Sequence, residues 1–194
     1  MRRYAETARH AGQVFCRAWR LVAAPTAEWQ AIAASLGQEQ RLLRWHVVVL
    51  SALFALAWSL GVAWAPMQPG ATPSYLSSVT TTFFLCVVAI MLLTLAIVLL
   101  LPMYERPRDW GRAWAVSAYS ATPLLLCGML LIVPILVIAM VVALPYAGYL
   151  LYIGLQEVLG ARRGDAAEFA AAAMVAASLL SMQLGAALAA LGVM

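Results

Sequence analysis

Lysine is absent from this chain, and charge of either sign is missing from most of it. The twelve arginines and eight acidic residues fall in three stretches, 2–44, 105–112 and 157–168, and the rest is formally neutral. That excludes an ordinary water-soluble domain. A charge at mid-bilayer costs roughly 2.5 to 3.5 kcal/mol even on the lenient insertion scale, so long neutral tracts mark residues lying in hydrocarbon. Cysteine is scarce too. Cys16, Cys86 and Cys127 are odd in number, form no CxxC pair and give no disulfide framework. His10 and His46 are far apart and form no metal pair. The chain has no phosphate-binding glycine loop, HExxH, GxSxG elbow or pair of intramembrane aspartates. No catalytic, cofactor or metal residues are therefore assigned, and an enzyme is not expected. The pI near 9.3 reflects the arginines of a membrane protein and implies no nucleic-acid partner.

The neutral tracts run from Trp45 to Tyr104, from Ala113 to Gln156 and from Phe169 to Met194, which is 60, 44 and 26 residues. About 20 residues cross ~30 Å of hydrocarbon at ~1.5 Å per residue, so the first two tracts are hairpins and the last is one span. The turn-rich segment 66–73 divides the first, and Val133-Pro134 the second. The expected fold is an all-α integral membrane protein: a five-helix bundle over 45–194, with spans near 46–65, 76–102, 114–132, 135–156 and 166–191. A segment of amphipathic interfacial helices, 1–44, precedes it. All twelve arginines then lie on one side, which the positive-inside rule makes cytoplasmic. The expected location is the inner membrane, with the N-terminus cytoplasmic and the C-terminus periplasmic or extracellular. With the first apolar tract starting only at Trp45, no secretory signal peptide is expected.

Within 1–44, Phe15, Trp19 and Val22 recur at i, i+4, i+7, with Gln13, Arg17 and Arg20 on another face. A second helix is expected from Pro25, with Glu28 near its N-terminus, Gly37 as C-cap and Trp29, Ile32, Ala33 and Leu36 as its apolar stripe. Arg17, Trp19, Arg20, Pro25, Trp29 and Ile32 are the candidate contacts. They would meet either a protein partner or the bilayer surface with its anionic headgroups.

Two prolines fall near mid-membrane, Pro123 after Tyr119-Ser120-Ala121-Thr122 and Pro145 before Tyr146-Ala-Gly-Tyr149-Leu-Leu-Tyr152. Each removes a backbone hydrogen bond and crowds the carbonyl four residues earlier, so the carbonyls of Tyr119 and Val141 are expected to be freed and both helices bent. Hydroxyls of Tyr119, Ser120, Thr122, Tyr146 and Tyr149 are the expected partners. These residues, with Tyr152 and Glu157 at the helix end, form either a packed core or the hinge and cavity of a transporter. Glu157 is expected to pair with Arg162 or Arg163. The aromatics of the 104–114 region suit a membrane interface. In the last span Ala177, Ser181, Gly185 and Ala189 recur every four residues, a ridge for close packing within the bundle or in a homo-oligomer.

Tyr119-Ser-Ala-Thr122-Pro123, a proline near the turn, and Gly148-Tyr149-Leu-Leu-Tyr152-Ile-Gly154 together resemble the signature of the Yip family (Ypt/Rab-interacting proteins, YIPF in animals). Pro25-Thr-Ala-Glu-Trp29-Gln-Ala-Ile32 resembles the element preceding the first span in bacterial members, and the YohC-like inner-membrane branch is the most similar. The resemblance implies the five-span fold and a membrane scaffold, not an enzyme. Eukaryotic members, implicated in vesicle trafficking with small GTPases, carry a long N-terminal domain that is missing here, so the activity stays open. The expected function is a non-enzymatic scaffold or interaction protein organising the membrane. The alternative is a small transporter, channel or lipid-moving protein working through its kinked third and fourth spans.

Overall fold

Long apolar tracts cut by prolines dictate helices of bilayer length, and the chain forms them. The computed structural model describes residues 2–36, 40–64 and 75–190, with side chains from residue 12 onward except those of 62–64, 134, 185 and 187–190. The helices are α1 (Arg2–Ala23), α2 (Pro25–Ser35), α3 (Gln40–Trp64), α4 (Tyr75–Leu100), α5 (Trp110–Ser120), α6 (Thr122–Gly128), α7 (Ile138–Glu157) and α8 (Arg163–Ala190). Short 3-10 turns at Leu101–Tyr104, Met129–Ile132 and Pro134–Val137 extend α4 and α6 and lead into α7. There is no strand among the described residues. Five segments are long and apolar enough to cross a membrane: α3, α4, α5 with α6, α7, and α8. The chain is an all-α multi-pass membrane protein, with the number of spans that the charge gaps predict. The helices outrun those gaps, because charge limits the hydrocarbon and not the helix: α3 starts at Gln40 and carries Arg41 and Arg44 in its first turns. The expected turn at 66–73 and the expected cap at Gly37 lie outside the described residues.

The third span is broken where Pro123 predicts. α5 stops at Ser120, and α6 restarts at Thr122 with Pro123 in its first turn. Pro145, by contrast, lies inside an unbroken α7. α5 is buried from Ala115 to Ser120, and its alanines and serines let α3, α4 and α7 approach closely. Apolar side chains of α4, α7 and α8, among them Phe84, Val142 and Leu179, point outward toward lipid.

The arginine-bearing end is knitted together by its loops. The Asp109 carboxylate caps α5 through the Arg112 N–H at 3.0 Å. Glu105, left-handed at φ 56°, reverses the chain, with the Arg106 N–H returning to the Leu101 carbonyl. The Arg106 guanidinium donates to the Gly160 carbonyl in the next loop. Glu157 is exposed and makes no ion pair among the described residues, contrary to the expected pairing with Arg162 or Arg163. Its helix ends before the chain turns away at Gly160.

α8 packs on α4 and α7 through Ala166, Phe169, Ala170 and Ala173, and Phe169 stacks on Tyr104 with ring centroids 4.4 Å apart. The expected small-residue ridge continues this seam at half-buried Ala177 and opens at exposed Ser181. The side chains of Gly185 and Ala189 lie outside the described residues.

The N-terminal helices α1 and α2 pack against the bundle. They form a hairpin turning at Ala24, with α1 packed on α3 and α6, and α2 on α7. The buried face of α1 is Val14, Ala18 and Leu21, whereas Phe15 and Trp19 on the aromatic face are 44% and 71% exposed. The physical reason is the solvent. Small side chains let helices approach, while rings turned outward lose nothing when the surroundings are lipid.

Candidate functional site

The hairpin carries charge into the bundle. Pro25 fixes the start of α2, so Glu28, Trp29 and Ile32 fall on its inner face and are buried. Arg17 Nε lies 2.9 Å from Glu28 Oε1, and the two side chains are 12% and 10% exposed. Arg17 Nη1 also donates to the Tyr119 hydroxyl at 3.3 Å, with the guanidinium 5.7 Å from the ring centroid. Tyr119 receives the edges of two further rings, Trp29 at 6.2 Å and His46 at 4.8 Å between centroids. His46 Nε2 is hydrogen-bonded to Thr122 Oγ1 at 2.9 Å. At the hairpin tip the Tyr146 hydroxyl donates to the Val22 carbonyl at 2.7 Å.

This cluster lies well inside the bundle. Tyr146 is eleven residues from the end of α7 at Glu157, ~16 Å of helix, whereas Trp29 packs against Gly154 nearer that end. An isolated ion there would be prohibitively costly, and mutual neutralisation is what lets Arg17 and Glu28 be carried in. Trp29 closes the nest from α7. A Cβ on Gly154 would stand 2.8 Å from its ring, so glycine is what admits the indole. Trp29 Nε1, His46 Nδ1 and Ser120 Oγ are buried with no hydrogen-bond partner among the described residues.

The structure sorts the sequence candidates into two groups. Tyr119, Ser120, Thr122 and Pro123 are buried at the α5–α6 break, and half-buried Tyr146 joins them through the hairpin. Pro145, Tyr149 and Glu157 are exposed and Tyr152 is half-buried, so the second group does not converge with the first. Thr122 and Tyr146 give their hydroxyls to His46 and Val22, where sequence reasoning reserved them for the carbonyls freed by proline. Among the expected surface contacts, Trp29 and Ile32 are core residues, Arg17 is the inner half of an ion pair, and Pro25 is half-buried. Trp19 and Arg20 are exposed. Glu28 and His46 are the residues that sequence reasoning missed. The one signal for them was the small-residue face Val14, Ala18 and Leu21, with the same i, i+4, i+7 spacing as the aromatic face. Among the described residues, no three His, Cys, Asp or Glu side chains gather to hold a metal.

No curated protein and no solved structure matches the chain. Residues 19–185 match the model of the Yip1 domain. That stretch begins within α1, takes in α2 with Glu28 and Trp29, His46 and the α5–α6 break, and ends within α8. Over most of its length, the chain belongs to the Yip family.

Proposed function

We propose that this chain is a non-enzymatic scaffold or interaction protein of a bacterial inner membrane, with its arginine-bearing end cytoplasmic. The observation that carries this reading is the filled interior. Trp29, Ile32 and the Arg17–Glu28 pair occupy the space bounded by α3, α5, α6 and α7, where a solute would have to pass. What stays available is the outer face of α1, with Phe15, Trp19 and Arg20, beside the arginine loops. That face meets a protein partner, while the arginines hold lipid headgroups. Deleting the first 29 residues is a poor test, since it removes core. Mass spectrometry of the tagged protein in native nanodiscs should find a stoichiometric partner. Trp19→Ala with Arg20→Gln should lose it and Thr122→Val should keep it. The reverse pattern sinks the scaffold reading.

A transporter is the second reading, and one observation favours it. The hairpin brings a titratable group, Glu28, into the bundle with Arg17, and His46 of α3 lies in the same cluster. On that reading Glu28→Gln abolishes flux in reconstituted vesicles that the wild type sustains. A wild type that moves no tested solute or lipid counts against it.

A further inference from the structure

A second feature lies away from the buried nest, at the arginine-bearing end. There a groove of about 710 Å³ runs between the start of α3, the start of α5 and the side of α4. Its volume is that of a ligand site. Its chemistry changes along its length. Arg44, Arg112 and Asp109 line it together with Trp110 and Trp114, and Met91 belongs to its apolar wall. Met91 precedes the end of α4 at Leu100 by nine residues, ~13 Å of helix, so the groove reaches from the charged rim well into the hydrocarbon layer. Met91 and Trp110 are 40% and 50% exposed, which leaves both depths accessible from outside.

Among the described residues the charges do not cancel. The Asp109 carboxylate is engaged by the Arg112 N–H at 3.0 Å and by Arg112 Nε at 3.3 Å. Arg44 has no hydrogen bond or ion pair among the described residues, so among them the groove keeps one unmatched guanidinium. A phosphodiester supplies the matching single negative charge and the acceptor oxygens that a guanidinium fork binds. The apolar wall below it suits acyl chains, and indoles belong at that boundary.

We propose that this groove binds one glycerophospholipid with a net negative headgroup, its phosphate at Arg44 and an acyl chain along Met91. The proposal rests on the contact of the arginines with lipid headgroups in the reading above, and not on the protein partner. The test uses the full-length protein in nanodiscs where phosphatidylglycerol is a minor component of phosphatidylethanolamine, with the lipids retained after detergent extraction read by native mass spectrometry. The wild type should retain about one phosphatidylglycerol per chain, enriched over the bulk mixture. Arg44→Gln should lose about tenfold of that enrichment, the scale of one charge-assisted hydrogen bond. Met91→Trp, which fills the apolar end and leaves both arginines in place, should lose retention as well. Both positions are exposed, and an unchanged melting temperature confirms the fold. Retention in the bulk lipid ratio, or an unaltered Arg44→Gln, overturns the proposal. So does displacement by excess glycerol 3-phosphate, which would make the groove a site for free phosphate esters and not for a lipid.

Discussion

α2 and α8 are opposites in sequence and reversed in placement. α2 is an eleven-residue helix holding an acid, a proline and a glutamine, yet Glu28, Trp29 and Ile32 are buried. α8 is 28 residues long and rich in alanine, yet Val175, Leu179 and Met182 on it are exposed, Met182 at 71%. In water this arrangement would be inside out. In lipid it follows from the absence of a hydrophobic drive between helices. Apolar spans gain nothing by hiding, whereas polar groups must find each other. Hydropathy therefore reports which segments touch lipid, not which segments lie within the membrane.

The comparison breaks first where the buried helix is hollowed out. Trp29→Ala removes a fully buried indole and should cost ~3–5 kcal/mol, read as a fall in the thermal unfolding midpoint in mild detergent. A loss near zero would mean that α2 is not packed in the bundle. The ion pair gives the next effect. Glu28→Met leaves a guanidinium buried without its counter-charge and should cost about 3 kcal/mol, and the double change Arg17→Met with Glu28→Met should recover most of it. If the two single losses simply add in the double variant, the residues are not partners.

What the sequence made legible divides along the same line. Five spans and the break at Pro123 could both be read, because each rests on local chemistry: the cost of charge in hydrocarbon and the missing N–H of proline. The nest was illegible because it is built from long-range pairs. Arg17 meets Glu28 and Tyr119, and His46 meets Thr122, across helices that no periodicity connects. Tyr119, Thr122 and Tyr146 were chosen as polar residues in an apolar region. They are in the nest, but with partners other than the carbonyls they were chosen for.

Smaller changes sharpen the contrast. Tyr146→Phe removes only the hydroxyl that reaches the Val22 carbonyl at the hairpin tip, and about 1 kcal/mol of stability should go with it. Loss of that bond should also raise hydrogen exchange at the tip more than in α8. At the bottom of the scale, Val175→Ala and Met182→Ala on the outer face of α8 should change stability by less than ~0.5 kcal/mol, since lipid meets either side chain. A larger loss in the same unfolding assay would place a protein contact on that face, and cross-linking in native membranes would then find a second copy there.

The most direct measurement is the depth of the hairpin tip. Ala24 is exposed at the turn between α1 and α2, so a spin label on Ala24→Cys, in a background with the native cysteines replaced, reports depth without disturbing the core. Collisions with oxygen should dominate over those with a water-soluble nickel chelate, placing the label below the headgroups. A label that reports headgroup depth, equally open to the nickel reagent, would return α1 and α2 to the membrane surface and contradict the buried nest.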